Sequence, residues 1–187
     1  MNARTALASP VGRRAQRGLS LIESCIALAV VGVLAGAAAP SFEASRQKRA
    51  IDGSSAGIVA DIALARSEAV ARQQGVRVSV RPSADGGACL MVHTGAAGDC
   101  SCLTPAGAQC VGDATLIKSS LFSAMAPVAL SASVASMRFD QNNGTVTPAG
   151  TLRVATTDGR TLHHVVNMMG RVRTCSTGGK IAGVKAC

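Results

Sequence analysis

From Leu19 to Ala39 the chain reads LSLIESCIALAVVGVLAGAAA, an apolar run of 21 residues broken by a single charge, Glu23. That is close to the ~20 residues a helix needs to cross a bilayer. Beyond it, Ile51, Ile58, Ile62, Ala65 and Ala69 recur at intervals of 7, 4, 3 and 4, with Arg66, Glu68 and Arg72 mostly off that stripe. The spacing predicts an amphipathic helix running to about Gln74 and capped by Gly75. Pro40 has no amide hydrogen and is expected to bend or interrupt the helix where it leaves the membrane. After Gly75 the period drops to two. Val76, Val78 and Val80 alternate with Arg77, Ser79 and Arg81, a half-buried strand that stops at Pro82. Asp85-Gly86-Gly87 then signals a turn into a hairpin partner, Leu90–His93. Further strands are expected at Thr115–Phe122, Val134–Phe139, Thr145–Thr147, Thr151–Thr156, Thr161–Asn167 and Gly170–Cys175. Asn142-Asn143-Gly144, Pro148-Ala149-Gly150 and Asp158-Gly159 punctuate them. No repeat of solenoid length is present. The pattern is α+β: one long N-terminal helix, half transmembrane and half amphipathic, packed on an antiparallel β-sheet head.

Length and composition sharpen this picture. A chain of 187 residues holds one head domain plus an anchor. Trp and Tyr are absent and only Phe42, Phe122 and Phe139 are aromatic, so the core rests on aliphatic residues and a base-stacking surface is not expected. Of the formal charge of +9, Arg4, Arg13, Arg14 and Arg17 fall within the first 18 residues, where there is no acid. Basic residues before an apolar span keep Met1–Gly18 in the cytoplasm and send the rest outward. An ordinary secretory signal shares these features, and Ala37-Ala38-Ala39 offers it a cleavage site. Pro40 directly after that cut and Glu23 inside the apolar run argue against it. A carboxylate in a membrane span calls for a partner. A cut between Gly18 and Leu19 would free an α-amine four residues before Glu23, and in a filament the amine of one subunit could pair with Glu23 of its neighbour. A glutamate that snorkels to the headgroups is the alternative.

Gly18-Leu19-Ser20-Leu21-Ile22-Glu23 resembles the processing site of type IV pilins and type II secretion pseudopilins. The resemblance implies that a prepilin peptidase cuts after Gly18, methylates the new N-terminus at Leu19 and leaves the apolar helix in place. It assigns Glu23 to subunit docking. Leu19 stands where the family usually has Phe. Leu64-Ala65-Arg66-Ser67-Glu68-Ala69-Val70-Ala71-Arg72, with Val76–Val80 and Asp85-Gly86, is similar to the GspH/FimT-like branch of minor pilins and pseudopilins, although the tryptophan common in its first hairpin is missing. The expected organisation is a leader peptide over 1–18, a transmembrane and filament-assembly helix over 19–39, and a head over 40–187. The protein would sit in the bacterial inner membrane with its head in the periplasm. It would then join a pilus or pseudopilus at the cell surface, with other pilin subunits as partners.

Six cysteines follow the apolar run, and Cys25 lies within it. An even number in an oxidising compartment points to disulfides. Only Cys175 with Cys187 is expected as a particular pair, closing a loop worth about 3 kcal/mol in the chain-entropy model. His93 with Cys89, Cys100 and Cys102 could be drawn as a zinc site, but the spacing does not fit paired knuckles and disulfides are favoured. His163 and His164 are adjacent, so in a strand they face opposite ways and cannot act on one atom. No phosphate loop, nucleophile elbow or carboxylate pair appears. The chain is expected to be neither an enzyme nor a cofactor protein.

Charge singles out the C-terminal end. From Thr151 onward Arg153, Arg160, Arg171, Arg173, Lys180 and Lys185 are opposed only by Asp158. In a strand, Arg171 and Arg173 would project from one face roughly 6.6–7 Å apart, within reach of nearby phosphates. A charged outer face that guards an edge strand is the competing reading. Gly170-Arg171-Val172-Arg173 also resembles the GRxR motif with which FimT-type minor pilins contact DNA in natural transformation. By that similarity Arg171 and Arg173 are the central contacts. Arg160, Lys180 and Lys185 are flanking contributors by charge alone. Binding would be phosphate-directed and indifferent to base sequence. The alternative function is a structural minor pseudopilin or pilus-priming subunit without DNA binding.

Overall fold

The computed structural model describes residues 20–104, 107–177, 181 and 183–187. One helix, α1 (Leu21–Ala71), precedes eleven strands among the described residues: β1 (Val76–Pro82), β2 (Ala88–Thr94), β3 (Cys100–Thr104), β4 (Gly107–Cys110), β5 (Leu116–Phe122), β6 (Val128–Ala132), β7 (Ser136–Phe139), β8 (Val146–Thr147), β9 (Gly150–Thr156), β10 (Thr161–Val166) and β11 (Val172–Ser176). The chain divides into two compact units, Met1–Phe42 and Glu43–Cys187.

In the described part of the first unit the apolar side chains stand in the open. Leu21, Ile22, Ile26, Leu28, Val30, Val31, Val33 and Leu34 are all exposed. Apolar surface of this kind costs about 25 cal/mol per Å² in water and is at rest in lipid or against another apolar helix. The helix is long and apolar enough to cross a membrane, with a mean hydropathy of 2.2 over its most apolar 18 residues. Pro40 lies inside α1 and does not interrupt it, so of the expected bend or interruption the interruption is absent. A proline removes one bond from the helical ladder, and the turns on either side keep theirs.

The second unit holds the core. The expected stripe of α1 is its buried face: Ile51, Ile58, Ile62, Ala65 and Ala69 are each at most 1% exposed. They pack into one cluster with Val76, Val78, Leu90, Val92, Met137, Phe139 and Val146 of one sheet and Val128, Leu130, Leu152, Val154, Leu162 and Val166 of another. The first sheet has the order β5-β2-β1-β7-β8 and the second β11-β10-β9-β6; their strand pairings are antiparallel. Helix and sheets thus enclose an aliphatic core with one fully buried aromatic, Phe139.

The helix ends earlier than expected and by another residue. Gln73, not Gly75, takes the left-handed conformation, with φ 51°. Gln74 donates its amide to the Ala69 carbonyl (3.2 Å) and Gln73 to that of Val70 (3.3 Å), the paired bonds of a Schellman end. Gly75 instead leaves room for Arg138, whose Nε would lie 2.5 Å from an added Cβ.

Three strands were not expected. Residues of β3 and β4 form a separate two-stranded hairpin tied by Cys89–Cys102 and Cys100–Cys110. With Cys89 and Met91 they make a second buried cluster, on the face of β2 opposite the main core. The β1–β2 centre is therefore covered on both faces, and Ser79, which plain alternation leaves outside, is fully buried. The third, β6, is a short stretch, VALSA, whose Val128 and Leu130 point inward.

Candidate functional site

β11 is an edge strand, bonded only to β10 within its sheet. It begins at Val172 rather than Gly170, so Arg171 precedes the strand and only Arg173 lies in it. The turn before it is built on Asn167. Its Oδ1 accepts the amides of Met169 (3.1 Å) and Arg171 (2.9 Å), its carbonyl accepts that of Gly170 (2.9 Å), and its own amide donates to the Arg171 carbonyl (3.1 Å). Gly170 is required here twice over. It has φ 72°, and an added Cβ would lie 2.6 Å from the Gly144 carbonyl oxygen. The turn therefore fixes the backbone of Arg171, while pairing of Arg173 with Val165 fixes that of Arg173. Both arginines are exposed, with half-buried Val172 between them. Neither has an ion-pair partner among the described residues.

The other expected contributors are placed differently. Arg160 lies in the β9–β10 turn, at the opposite end of β10 from Arg171, and is engaged: Nε is 3.0 Å from Asp158 Oδ2 and Nη1 donates to the Ala44 carbonyl at 3.2 Å. Asp158 itself is held below the ordinary carboxylate range, chiefly by the Thr156 hydroxyl, with Arg160 adding to it. Lys185 is exposed and its carbonyl accepts the amide of Ser176, which places it at the far end of β11. Lys180, Gly18 and Leu19 lie outside the described residues. Glu23 is in the first turn of α1 and exposed.

Arg153, which the sequence offers only as part of the basic C-terminal end, has a defined place in the sheet. It is exposed on β9, between inward Leu152 and Val154, and pairs across the sheet with His163. That alternation was the signal available. The four strands β6, β9, β10 and β11 contain no aspartate or glutamate. Unforeseen was Asp61, a buried carboxylate on α1 that meets the Lys118 ammonium and accepts the Ser120 hydroxyl at 3.1 Å.

Cys175 and Cys187 are joined, a third disulfide beside the two in the β2–β4 region. Cys89, Cys100 and Cys102 are thereby occupied by sulfur partners. His93 is buried with Nε2 2.8 Å from Ser79 Oγ and Nδ1 2.7 Å from the Thr94 carbonyl. His164 faces the core and His163 the outer side, with His164 Nδ1 3.0 Å from Thr174 Oγ1. Burial above all pushes both His93 and His164 below the ordinary histidine range.

The family model for the type II transport protein GspH matches residues 55–170, more than half of the chain, and the prokaryotic N-terminal methylation motif matches residues 13–39. The chain belongs to the GspH family. It is a minor pilin or pseudopilin of a type IV pilus or type II secretion system, and membership implies association with other subunits of such an assembly. The apolar helix and the methylation motif fit membrane anchoring. The GspH match ends at Gly170, so Arg171 and all of β11 lie beyond it. Among solved structures, the chain is similar to the type IV minor pilin FimU of Pseudomonas aeruginosa. Identity is 21% over 74% of this chain and 98% of that one, with a TM-score of 0.47. It is also similar to the minor pseudopilin EpsH from the type 2 secretion system of Vibrio cholerae, at 17% identity over 69% of this chain and 98% of that one, with a TM-score of 0.43. No curated protein matches the chain.

Proposed function

We propose that this GspH-family subunit is a type IV pilus minor pilin that binds DNA without sequence preference, through Arg171 and Arg173, for uptake in natural transformation. One observation carries the reading. Two exposed arginines without ion-pair partners among the described residues stand at the edge of a sheet whose strands bear no carboxylate. Such guanidiniums meet phosphate oxygens readily, and contacts to phosphate carry no information about base sequence. Arg160 and Lys185 add positive charge at a distance rather than contacts in the same row, and Lys180 contributes by charge alone. The subunit acts by binding and not as an enzyme.

Its route to the filament follows from the N-terminus. A prepilin peptidase cuts between Gly18 and Leu19, the new amine is methylated, and the head stands in the periplasm. The Leu19 amine and Glu23 then pair between neighbouring subunits, relieving two charges that lipid disfavours. Every residue of the main core and all three disulfides lie within Glu43–Cys187, so this unit is the natural object to test. Titrated with duplexes of unrelated sequence, it is expected to bind all of them with similar affinity. Loss of Arg171 and Arg173 weakens each alike. Absence of binding by the unaltered head refutes the proposal.

A second reading has its own support, since the matching family is described as a type II transport protein. On that reading the chain is a structural pseudopilin or priming subunit, and the arginines only protect an edge strand from pairing.

A further inference from the structure

The registers of the four-stranded sheet lead beyond the edge strand. Val165 on β10 pairs with Arg173 on one side and Thr151 on the other, while His163, two residues earlier, pairs with Cys175 and Arg153. Arg153, His163, Val165 and Arg173 therefore share the outer face, since Leu152, Val154, Leu162, His164 and Val166 are the buried, inward set. Two strand spacings and two residues along the strand separate Arg153 from Arg173, about 12 Å on the diagonal. On β6, the residue paired with Arg153 is Ser131, exposed and uncharged. A polyanion crossing this face meets no carboxylate on the strands. Arg153 has no ion-pair partner among the described residues, unlike Arg46, Arg72 and Arg160.

We infer that Arg153 is a third phosphate contact, so that a nucleic-acid backbone lies across β11, β10 and β9 rather than along the edge strand alone. The inference rests on the DNA-binding reading above and adds a residue and a direction to it. His163, between the two arginines, offers a ring nitrogen to the same backbone; its Nε2 is 3.4 Å from Thr177 Oγ1. Phosphodiester DNA is preferred to an anionic membrane as occupant because, among the described residues, the strands β9, β10 and β11 expose one large apolar side chain, Val165 at 38%, while exposed Met168 and Met169 lie in the turn before β11.

The test uses the full chain in detergent micelles, with short duplex DNA as probe and affinity measured over a range of salt. Arg153→Gln is expected to weaken binding to every sequence and to reduce the magnitude of the slope of log affinity against log salt by about 1. Arg153→Lys keeps the slope. Any contribution of the basic leader is common to all variants. An unchanged slope for Arg153→Gln, with Arg171→Gln/Arg173→Gln still weakening binding, overturns this inference and leaves the DNA reading standing. An equal loss for Arg153→Lys assigns the effect to packing and overturns it too. So does an equal loss for Arg49→Gln on the exposed side of α1. If the unaltered chain binds phosphatidylglycerol vesicles and no DNA, both readings fall.

Discussion

Gly170 shows most plainly how one residue shapes the candidate site. Alanine there must take a left-handed conformation, at roughly 1–2 kcal/mol, and must also displace the Gly144 carbonyl. Gly86 has a similar φ, +81°, with nothing within 4 Å of an added Cβ. Gly170→Ala is therefore expected to destabilise the head by more than Gly86→Ala and to weaken DNA binding as well. Urea unfolding of the two variants decides it, and equal midpoints contradict the close approach. The buried histidines give a pH dependence with a definite sign. Burial disfavours the protonated form of His93 and His164 in the folded head, whereas once unfolded they take up protons below about pH 6.5. Folding stability is thus full above that pH and falls as pH drops below it, by at most about 1.4 kcal/mol per pH unit for each histidine. Unfolding measured between about pH 7.5 and pH 5, above the carboxylate range, should show that decline. A flat profile means that neither ring is held neutral.

At the scale of elements, the end of the chain is secured by covalent chemistry. Cys175–Cys187 closes a separation of 12 residues beside a bridge between Ser176 and Ala186. Replacing both cysteines by serine is expected to cost about 3 kcal/mol in the chain-entropy model, read as a lower midpoint in chemical denaturation. No change in midpoint would mean that the tail contributes nothing. Most elements were legible because one physical pattern dominated each. The 7, 4, 3, 4 stripe of α1 became its buried face. Val76 and Val78 entered the core, and the Gly-rich turns fell where strands reverse. What stayed hidden depends on contacts remote in sequence. The β3–β4 hairpin rests on disulfides whose pairing no local spacing dictates, and its cover turns Ser79 and His93 inward. The left-handed end of α1 fell to Gln73 because the Schellman bonds close two residues before Gly75. In the candidate site the motif Gly170–Arg173 was visible, yet the start of β11 was misplaced by the Asn167 turn. That Arg153 and Arg173 share a face was not legible, because they lie two strands apart in the sheet and not near each other in the chain.

For the whole molecule, the first unit and the second make separate demands. Glu23 stands in an apolar helix surface otherwise suited to lipid, so Glu23→Ala should leave the head folded and the protein in the membrane while impairing its incorporation into filaments. Recovery of that variant at normal levels in sheared filaments would remove the docking role. Mass spectrometry of the membrane-derived protein should find Leu19 as the mature N-terminus, and a mature start at Pro40 would contradict the pilin route. The central claim concerns the head, and the salt dependence of its DNA binding tests it most directly. A charge-matched control is needed away from the site. Arg66 is unsuitable, because its side chain lies against Gly144 and beside Gly170, whereas Lys48 and Arg49 are exposed on α1. With Glu43–Cys187 and duplexes of unrelated sequence, replacing Arg171 and Arg173 by glutamine should lower the magnitude of the salt slope by roughly 2 for every duplex. Replacing Lys48 and Arg49 should leave it nearly unchanged. If both pairs lower it equally, or if the unaltered head shows no salt-dependent binding, the arginines are not a DNA site and the structural-subunit reading takes its place.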